Sequence, residues 1–186
     1  MIRADVRGVQ VTLETDPSLF SPREIDAGTL ALLSCVQLSP TDKVLDLGCG
    51  YGAVGIVAAK LIGADRVYMV DNDAVATGLA SKNARLNGLR DLTVLLSDGF
   101  RDIRETGFTQ ILCNPPYHTD FHIPKQFIHK GFNRLVIGGK LWMVTQRQVW
   151  YRNKLRAIFG GVLEHRTPPY TVFEATKTAP QYANAR

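Results

Sequence analysis

Thiols are scarce in this 186-residue chain: Cys35, Cys49 and Cys113 are the only cysteines. They are odd in number and form no C-x-x-C pair, which excludes a disulfide framework and offers no zinc-site spacing. They read as small buried apolar groups. Long hydrophobic runs are missing too, none reaching the roughly 18 residues that a membrane span requires. The opening Met1 to Arg7 carries charge where a secretory leader needs apolar residues. The expectation is a cytoplasmic protein with no membrane partner. Repeats, low-complexity tracts and linker-like Pro/Gly/Ser stretches are also lacking, so one domain is expected, with residues 1–25 as an N-terminal strand and loop extension and 26–186 as the main body. Hydrophobic residues make up 45% and charged residues 21%, enough for a buried core and too little polar bias for disorder.

Acidic residues are nearly absent from the last third. Residues 121–186 hold 11 basic and 2 acidic side chains, net +9, whereas residues 1–120 hold 11 basic and 15 acidic, net −4. Lys125, Lys130, Arg134, Lys140, Arg147, Arg152, Lys154, Arg156 and Arg166 are expected to form one cationic surface suited to a phosphate backbone, or else a set of solvated helix faces.

Apolar strand-like runs alternate with amphipathic helical patterns, which signals an α/β chain built on a parallel sheet. Val9, Val11 and Leu13 alternate with polar residues as a short opening strand. A helix holding Leu30, Leu33 and Gln37 ends before Pro40. Strands follow at 43–47, 66–70, 92–96 and 109–113, with helices at 53–62 and 74–86, the second stopped by Asn87-Gly88. A helix around 124–135, a turn at Gly138-Gly139, a strand at 141–144, a helix at 148–159 and two final strands, the last at 171–175, complete the pattern.

Between the first core strand and its helix lies Asp46-Leu47-Gly48-Cys49-Gly50-Tyr51-Gly52. Missing Cβ atoms there let the backbone turn sharply and approach a ligand. Gly50-x-Gly52-x-x-Gly55 also satisfies the dinucleotide-binding pattern, and Asp71 lies 21 residues beyond Gly50, so a nicotinamide-dependent dehydrogenase stays open. Three acids at successive strand ends, Asp46, Asp71 and Asp98, favour S-adenosylmethionine. Asp71, with Asn72 beside it, would accept the ribose hydroxyls; Asp98, with Gly99, would accept the adenine amine; Asp46 would hold the methionine part. Helix capping is the alternative role for Asp71 and Asp98, although Asn72 and Asp73 can cap instead.

Directly after the fourth core strand stands Asn114-Pro115-Pro116-Tyr117. An exocyclic amine conjugated to a base or amide has its lone pair delocalised, and it attacks only when its N–H groups are held. The side-chain oxygen of Asn114 and the carbonyl of Pro115 can accept those N–H groups, with the prolines, Pro116 included, fixing both acceptors in direction. Tyr117 can stack on the planar target. This turn points to methyl transfer to nitrogen.

The sequence resembles the small-domain class I methyltransferases that modify the exocyclic N2 of guanine in small-subunit ribosomal RNA. The resemblance covers about residues 12–177 and includes Thr15 to Ser21, Asp26-Ala27-Gly28-Thr29, the loop Asp46 to Gly52, Asp71, Ser97-Asp98 and Asn114 to His118. It implies a Rossmann-like fold, a seven-stranded mostly parallel sheet flanked by helices, with S-adenosylmethionine as cofactor and RNA as partner. By the same resemblance Phe20 and Thr29 lie near the donor's methionine end. Glutamine methyltransferases of release factors and adenine-specific DNA methyltransferases share the Asn-Pro-Pro-Tyr turn, but carry an additional domain or insert that this chain has no room for. The family usually has Gly where Asp120 stands here, which bears on the loop over the target base.

His118 and His122 stand four residues apart without a third ligand, so no metal site is expected. Arg147, Lys125 and His118 are candidate RNA contacts. Trp142, Trp150, Tyr151 and Phe159 are expected in the core rather than as a stacking platform. Other amines, adenine N6 in RNA or protein glutamine, and a non-catalytic RNA-binding factor are the remaining alternatives.

Overall fold

The computed structural model describes residues 1–116 and 120–184. The chain opens with a hairpin of β1 (Ile2–Val6) and β2 (Val9–Leu13), closed by a two-residue turn in which Arg7 and Gly8 both take positive φ, 58° and 77°. The main body then runs α1 (Ala27–Cys35), β3 (Val44–Leu47), α2 (Ala53–Ile62), β4 (Val67–Asp71), α3 (Ala74–Leu86), β5 (Thr93–Leu96), β6 (Phe108–Cys113), α4 (His122–Arg134), β7 (Leu135–Thr145), α5 (Gln148–Phe159), β8 (Leu163–Thr167) and β9 (Tyr170–Thr176). Seven strands form one sheet in the order β5-β4-β3-β6-β7-β9-β8. All neighbours are parallel except β9, which runs antiparallel to both β7 and β8. The α/β fold expected from the sequence is therefore the one observed.

The strand order reverses between β3 and β6, so the chain leaves these two neighbouring strands in opposite directions and opens a crevice beyond their carboxyl ends. Strand alternation sorts β3: Val44 joins the core on the side of α1, α2 and α3, while Leu45 and Leu47 join the core on the side of α4 and α5. Asp46 therefore points toward α2.

The hairpin is stitched to α3 by side chains that imitate a strand edge. Asn87 accepts from the Thr12 amide and donates to the Thr12 carbonyl; Asn83 does the same with Glu14. Asn83 also donates to the Tyr51 carbonyl at 2.9 Å, which ties the hairpin to the glycine loop. Strand β1 escapes the sequence pattern because its own alternation is weak and its register comes from pairing with β2. The Gly138-Gly139 turn is corrected as well: both glycines lie inside β7, where the register jumps from Phe108 opposite Leu135 to Gln110 opposite Lys140. The extra residues form a bulge, with Gly138 at φ 87°, held by the Gly138 amide on the Lys177 carbonyl and the Lys177 amide on the Gly139 carbonyl.

Gly55 sits where α2 crosses closest to the sheet. A Cβ built there would lie 2.4 Å from Cγ and Sδ of the fully buried Met69 and 3.1 Å from Asp46 Oδ2. Gly55→Ala is expected to lower the unfolding free energy by about 1–3 kcal/mol in urea titrations. In a double-mutant cycle with Met69→Ala the two losses should add to less than their sum, because the smaller residue removes the clash.

Candidate active site

A cavity of about 410 Å³ lies at the carboxyl ends of β3, β4, β5 and β6, within the range of small-molecule sites. Asp46, Gly48, Cys49, Gly50, Tyr51, Asp71, Asn72, Asp98, Gly99, Asn114, Pro115, Pro116 and Thr29 all line it, as does Phe20. Gly52 does not; it caps α2 behind the loop with φ 97° and packs close to Ile56, Ala80 and Met69. Tyr117 and His118 lie outside the described residues.

The glycine loop is fixed amide by amide. Gly48 and Cys49 donate to the Val70 carbonyl, each at 2.9 Å, and Gly50 donates to Asp71 Oδ2 at 2.8 Å. The other oxygen of Asp71 accepts the Asp73 amide at 3.0 Å. Asp71 thus closes β4 and shapes the loop opposite, while α3 is capped by Asp73, whose carboxylate accepts the Val75 amide. Burial, then the carboxylates of Asp46 and Asp71, push the Cys49 thiol far above the ordinary range, which disfavours the thiolate at neutral pH.

Asp46 is 2% exposed, and its Oδ2 accepts the Gly55 amide at 2.8 Å. That amide belongs to the first turn of α2, the place where a dinucleotide-binding fold would receive a pyrophosphate. Here the protein's own carboxylate occupies it, so the geometry argues against the dinucleotide reading of the glycines. Burial pushes the Asp46 pKa up to about 7, against the Gly55 hydrogen bond, with repulsion from Asp71 adding to the rise. A cationic ligand group would relieve this.

Asp98 lines the cavity but also forms an exposed ion pair with Arg101 at 2.6 Å. Ser97, buried beside it, holds the loop by donating to the Gly99 carbonyl and accepting the Asp102 amide. Across the cavity α4 supplies Ile123, Gln126 and Phe127, the last standing against Gly99 and edge-on to Phe100 at 6.4 Å. None of these three was singled out from the sequence; their signal was only the apolar periodicity of one helix.

Asn114 shows what the strand-end turn is built for. Its Nδ2 donates to Asp26 Oδ2 at 2.9 Å and to Thr29 Oγ1 at 3.0 Å. A carboxylate cannot donate, so the amide nitrogen must face Asp26, and the carbonyl oxygen lies on the opposite edge of the group. The same Asp26 oxygen accepts the Thr29 amide and caps α1. Asp26 thus orients the Asn114 amide, a contact that the sequence, where Asp26 stood only within the family-like stretch leading into α1, did not show. Asp120, at the departure from the family pattern, accepts the His122 amide and sets the entry into α4.

Of the residues expected to contact RNA, Arg147 and Lys125 lie outside the cavity wall, at the N-cap of α5 and on α4. The single cationic surface is divided: Lys140 pairs with Glu174, Arg152 with Glu164, and Arg134 donates to the Glu105 carbonyl. Trp142, Tyr151 and Phe159 are buried as expected, but Trp150 is only half-buried. No group of three or more potential metal ligands occurs among the described residues, and no helix is long and apolar enough to cross a membrane.

Residues 10–174 match the family model of the methyltransferase small domain. Ribosomal RNA large subunit methyltransferase G of Photobacterium profundum is 30% identical over 93% of this chain and 48% of its own length. The corresponding protein of Pseudomonas syringae is 33% identical over 90% of this chain and 46% of its own. Among solved structures, the 16S rRNA N2 G1207 methyltransferase of T. thermophilus, in complex with AdoMet and guanosine, superposes with a TM-score of 0.87 at 29% identity, covering 95% of this chain and 50% of that one. The chain thus spans about half the length of these relatives.

Because a raised carboxylate pKa means that the folded state binds the extra proton, Asp46 weakens the fold as pH rises from about 4 to 7. Asp46→Asn, which keeps an acceptor for Gly55, is expected to raise the thermal midpoint by several degrees at pH 8 and hardly at all at pH 4. Scanning calorimetry at the two pH values reads the difference.

Proposed function

The chain belongs to the methyltransferase small-domain family, and on that premise we propose that it is an S-adenosylmethionine-dependent N-methyltransferase acting on the exocyclic N2 of guanine in ribosomal RNA. One observation carries the reading: a single cavity at the sheet's switch point brings Asp46, Asp71 and Asp98 together with the Asn114-Pro115-Pro116 turn. The cavity fits the cofactor in chemistry as well as size. Its acids suit a ligand carrying ammonium and sulfonium charges, its diol-accepting carboxylate stands at the end of β4, and Phe127 offers an aromatic face beside Gly99. Asp71 would hold the ribose, Asp98 the adenine amine and Asp46 the methionine end, with Thr29 and Phe20 near that end. The bound cofactor supplies an electrophilic methyl group.

What this chain must add is orientation. Asn114, locked by Asp26 and Thr29, offers its side-chain oxygen as one acceptor, and the Pro115 carbonyl offers a second. Two acceptors match the two N–H groups of a primary amine, and holding both aligns the nitrogen lone pair for in-line attack. No general base of high strength is called for, and the buried thiols of Cys49 and Cys113, both pushed far up by burial, offer none. The names of the relatives, which refer to ribosomal RNA, support an RNA substrate.

Two measurements test the reading. Isothermal titration with S-adenosylhomocysteine is expected to show binding that weakens by at least tenfold in Asp71→Ala, the scale of lost charge-assisted hydrogen bonds. Asn114→Ala should leave that affinity in place and reduce methyl incorporation into ribosomal RNA about a hundredfold or more. An intact protein that binds neither the cofactor nor its product would overturn the proposal. The pH response follows from Asp46, whose pKa burial pushes up to about 7. A cationic ligand stabilises the ionised form, so binding releases a proton and affinity should rise between pH 6 and pH 8, an increase that Asp46→Asn removes.

A further inference from the structure

Helix α4 has two working faces. Ile123, Gln126 and Phe127 face the cavity, while Phe121, Lys125 and His129, each four residues on from the last, follow a second stripe toward α5. On α5 the matching stripe is Arg147, Trp150 and Lys154. The two stripes meet: the Phe121 and Trp150 rings stack at 4.3 Å and 15°, and the Arg147 guanidinium lies 4.9 Å from the Phe121 ring centre. One turn on from the stacked rings the two stripes carry Lys125 and Lys154; burial and then Lys125 lower the Lys154 pKa, and burial, then Lys154 and Lys125, lower that of His129. His129 Nε2 is buried without a hydrogen-bond partner.

Acids are sparse along this groove: Asp120, just before Phe121, accepts the His122 amide. Residues 121–163 contain no Asp or Glu, and the nearest acid beyond them, Glu164, is taken by Arg152. Neither Lys125 nor Lys154 has an ion pair among the described residues. A fold that neutralises Lys140 and Arg152 internally, yet sets an exposed Lys125 and a half-buried Lys154 on the facing stripes of two packed helices, presents a surface complementary to an anion. The groove begins at the stacked rings, at the amino ends of α4 and α5, the same edge of the sheet to which β6 delivers Asn114-Pro115-Pro116, so a polyanion bound there runs toward the reaction edge.

We propose that the groove between α4 and α5 is a track for the RNA backbone, in which Lys125 and Lys154 clamp a phosphate and the Phe121–Trp150 stack, topped by Arg147, forms a shelf leading to the target amine. The inference rests on the reading of RNA as substrate. It predicts which of the many basic residues matter: those of the groove, and not Lys130 or Arg156, which project from other faces of the same two helices.

The test uses the full chain and a fluorescein-labelled RNA stem-loop with an unpaired guanine, followed by anisotropy across a salt series. Lys125→Glu/Lys154→Glu is expected to weaken RNA binding at least tenfold and to lower the slope of log affinity against log salt by about 0.7, the yield of one lost phosphate contact on single-stranded RNA. Its affinity for S-adenosylhomocysteine, measured in parallel, should equal that of the parent, which shows that the variant is folded. The charge-matched Lys130→Glu/Arg156→Glu should retain RNA affinity within about threefold. Equal losses in the two variants, or an unchanged slope in the first, would overturn the track, as would competition by polyglutamate as effective as that by RNA. Wild-type protein that binds RNA through the groove but transfers no methyl group would sustain the track and remove the transfer reading instead.

Discussion

The structure depends on how one backbone turn is held. Between β3 and α2 the chain must pass close to whatever fills the cavity, so it can carry no side chains at its closest points and must be fixed by its amides alone. Val70, Asp71 and Asp46 supply the acceptors: a carbonyl for Gly48 and Cys49, one carboxylate oxygen for Gly50 and another for Gly55. Two of the three acids expected to meet a ligand are thus already engaged in shaping the loop that meets it. Each carboxylate oxygen keeps a second lone pair, so structural and ligand roles can coexist on one group. The N-terminal hairpin belongs to the same arrangement, because Asn83 bonds Glu14, directly after β2, and the Tyr51 carbonyl at once. Tyr51 in turn donates to the carbonyls of Ser21 and Glu24, which closes the segment before α1 over the loop.

A second constraint works from the opposite wall. Asn114 directly follows β6, the strand that neighbours β3, and a side-chain amide is oriented without ambiguity when its nitrogen meets a partner that cannot donate. Asp26 is that partner, and it comes from a helix cap distant in sequence. Capping α1 and aligning Asn114 use the same oxygen, so the angle at which α1 enters the body and the direction of the acceptor are set together. The prolines that follow Asn114 remove the remaining backbone freedom.

Local signals carried far in this chain. The bounds of α2, α3 and α5 agree with those read from periodicity, and α3 is capped by Asp73 and stopped at Asn87-Gly88, where Gly88 takes φ 77°. The strand-end acids could be read because a parallel sheet brings successive strand ends to one edge regardless of detail. What escaped was what depends on distant partners. Asp26 looks like a cap because it is one; its bond to Asn114 spans 88 residues. The Gly138-Gly139 pair carries the composition of a turn, but the neighbouring β6 and the Lys177 backbone capture it as a bulge. The basic third read as one surface because Glu164 and Glu174, the acids that neutralise Arg152 and Lys140, are few and stand on other strands. Trp150 departs from its core companions because α5 turns it toward Phe121 rather than inward.

The distribution of charge explains how a site for a cationic cofactor and a track for a polyanion can share one helix. On the proposed reading the cavity is acidic because its ligand brings positive charge, and the groove is basic because RNA brings negative charge; placed side by side, the two would cancel. Helix α4 separates them, with Phe127 and Ile123 on one face and Lys125 and His129 on the other. A helix with its side chains is about 10 Å thick, comparable to the roughly 8 Å over which physiological salt screens exposed charge. The Lys125 ammonium is exposed to solvent on the face of α4 away from the cavity, whereas Asp71 lines the cavity together with the buried Asp46 and adds to the rise of its pKa. Burial decides which charges feel one another, and it allows the cavity to keep a carboxylate that titrates near neutrality beside a helix that faces a phosphate chain.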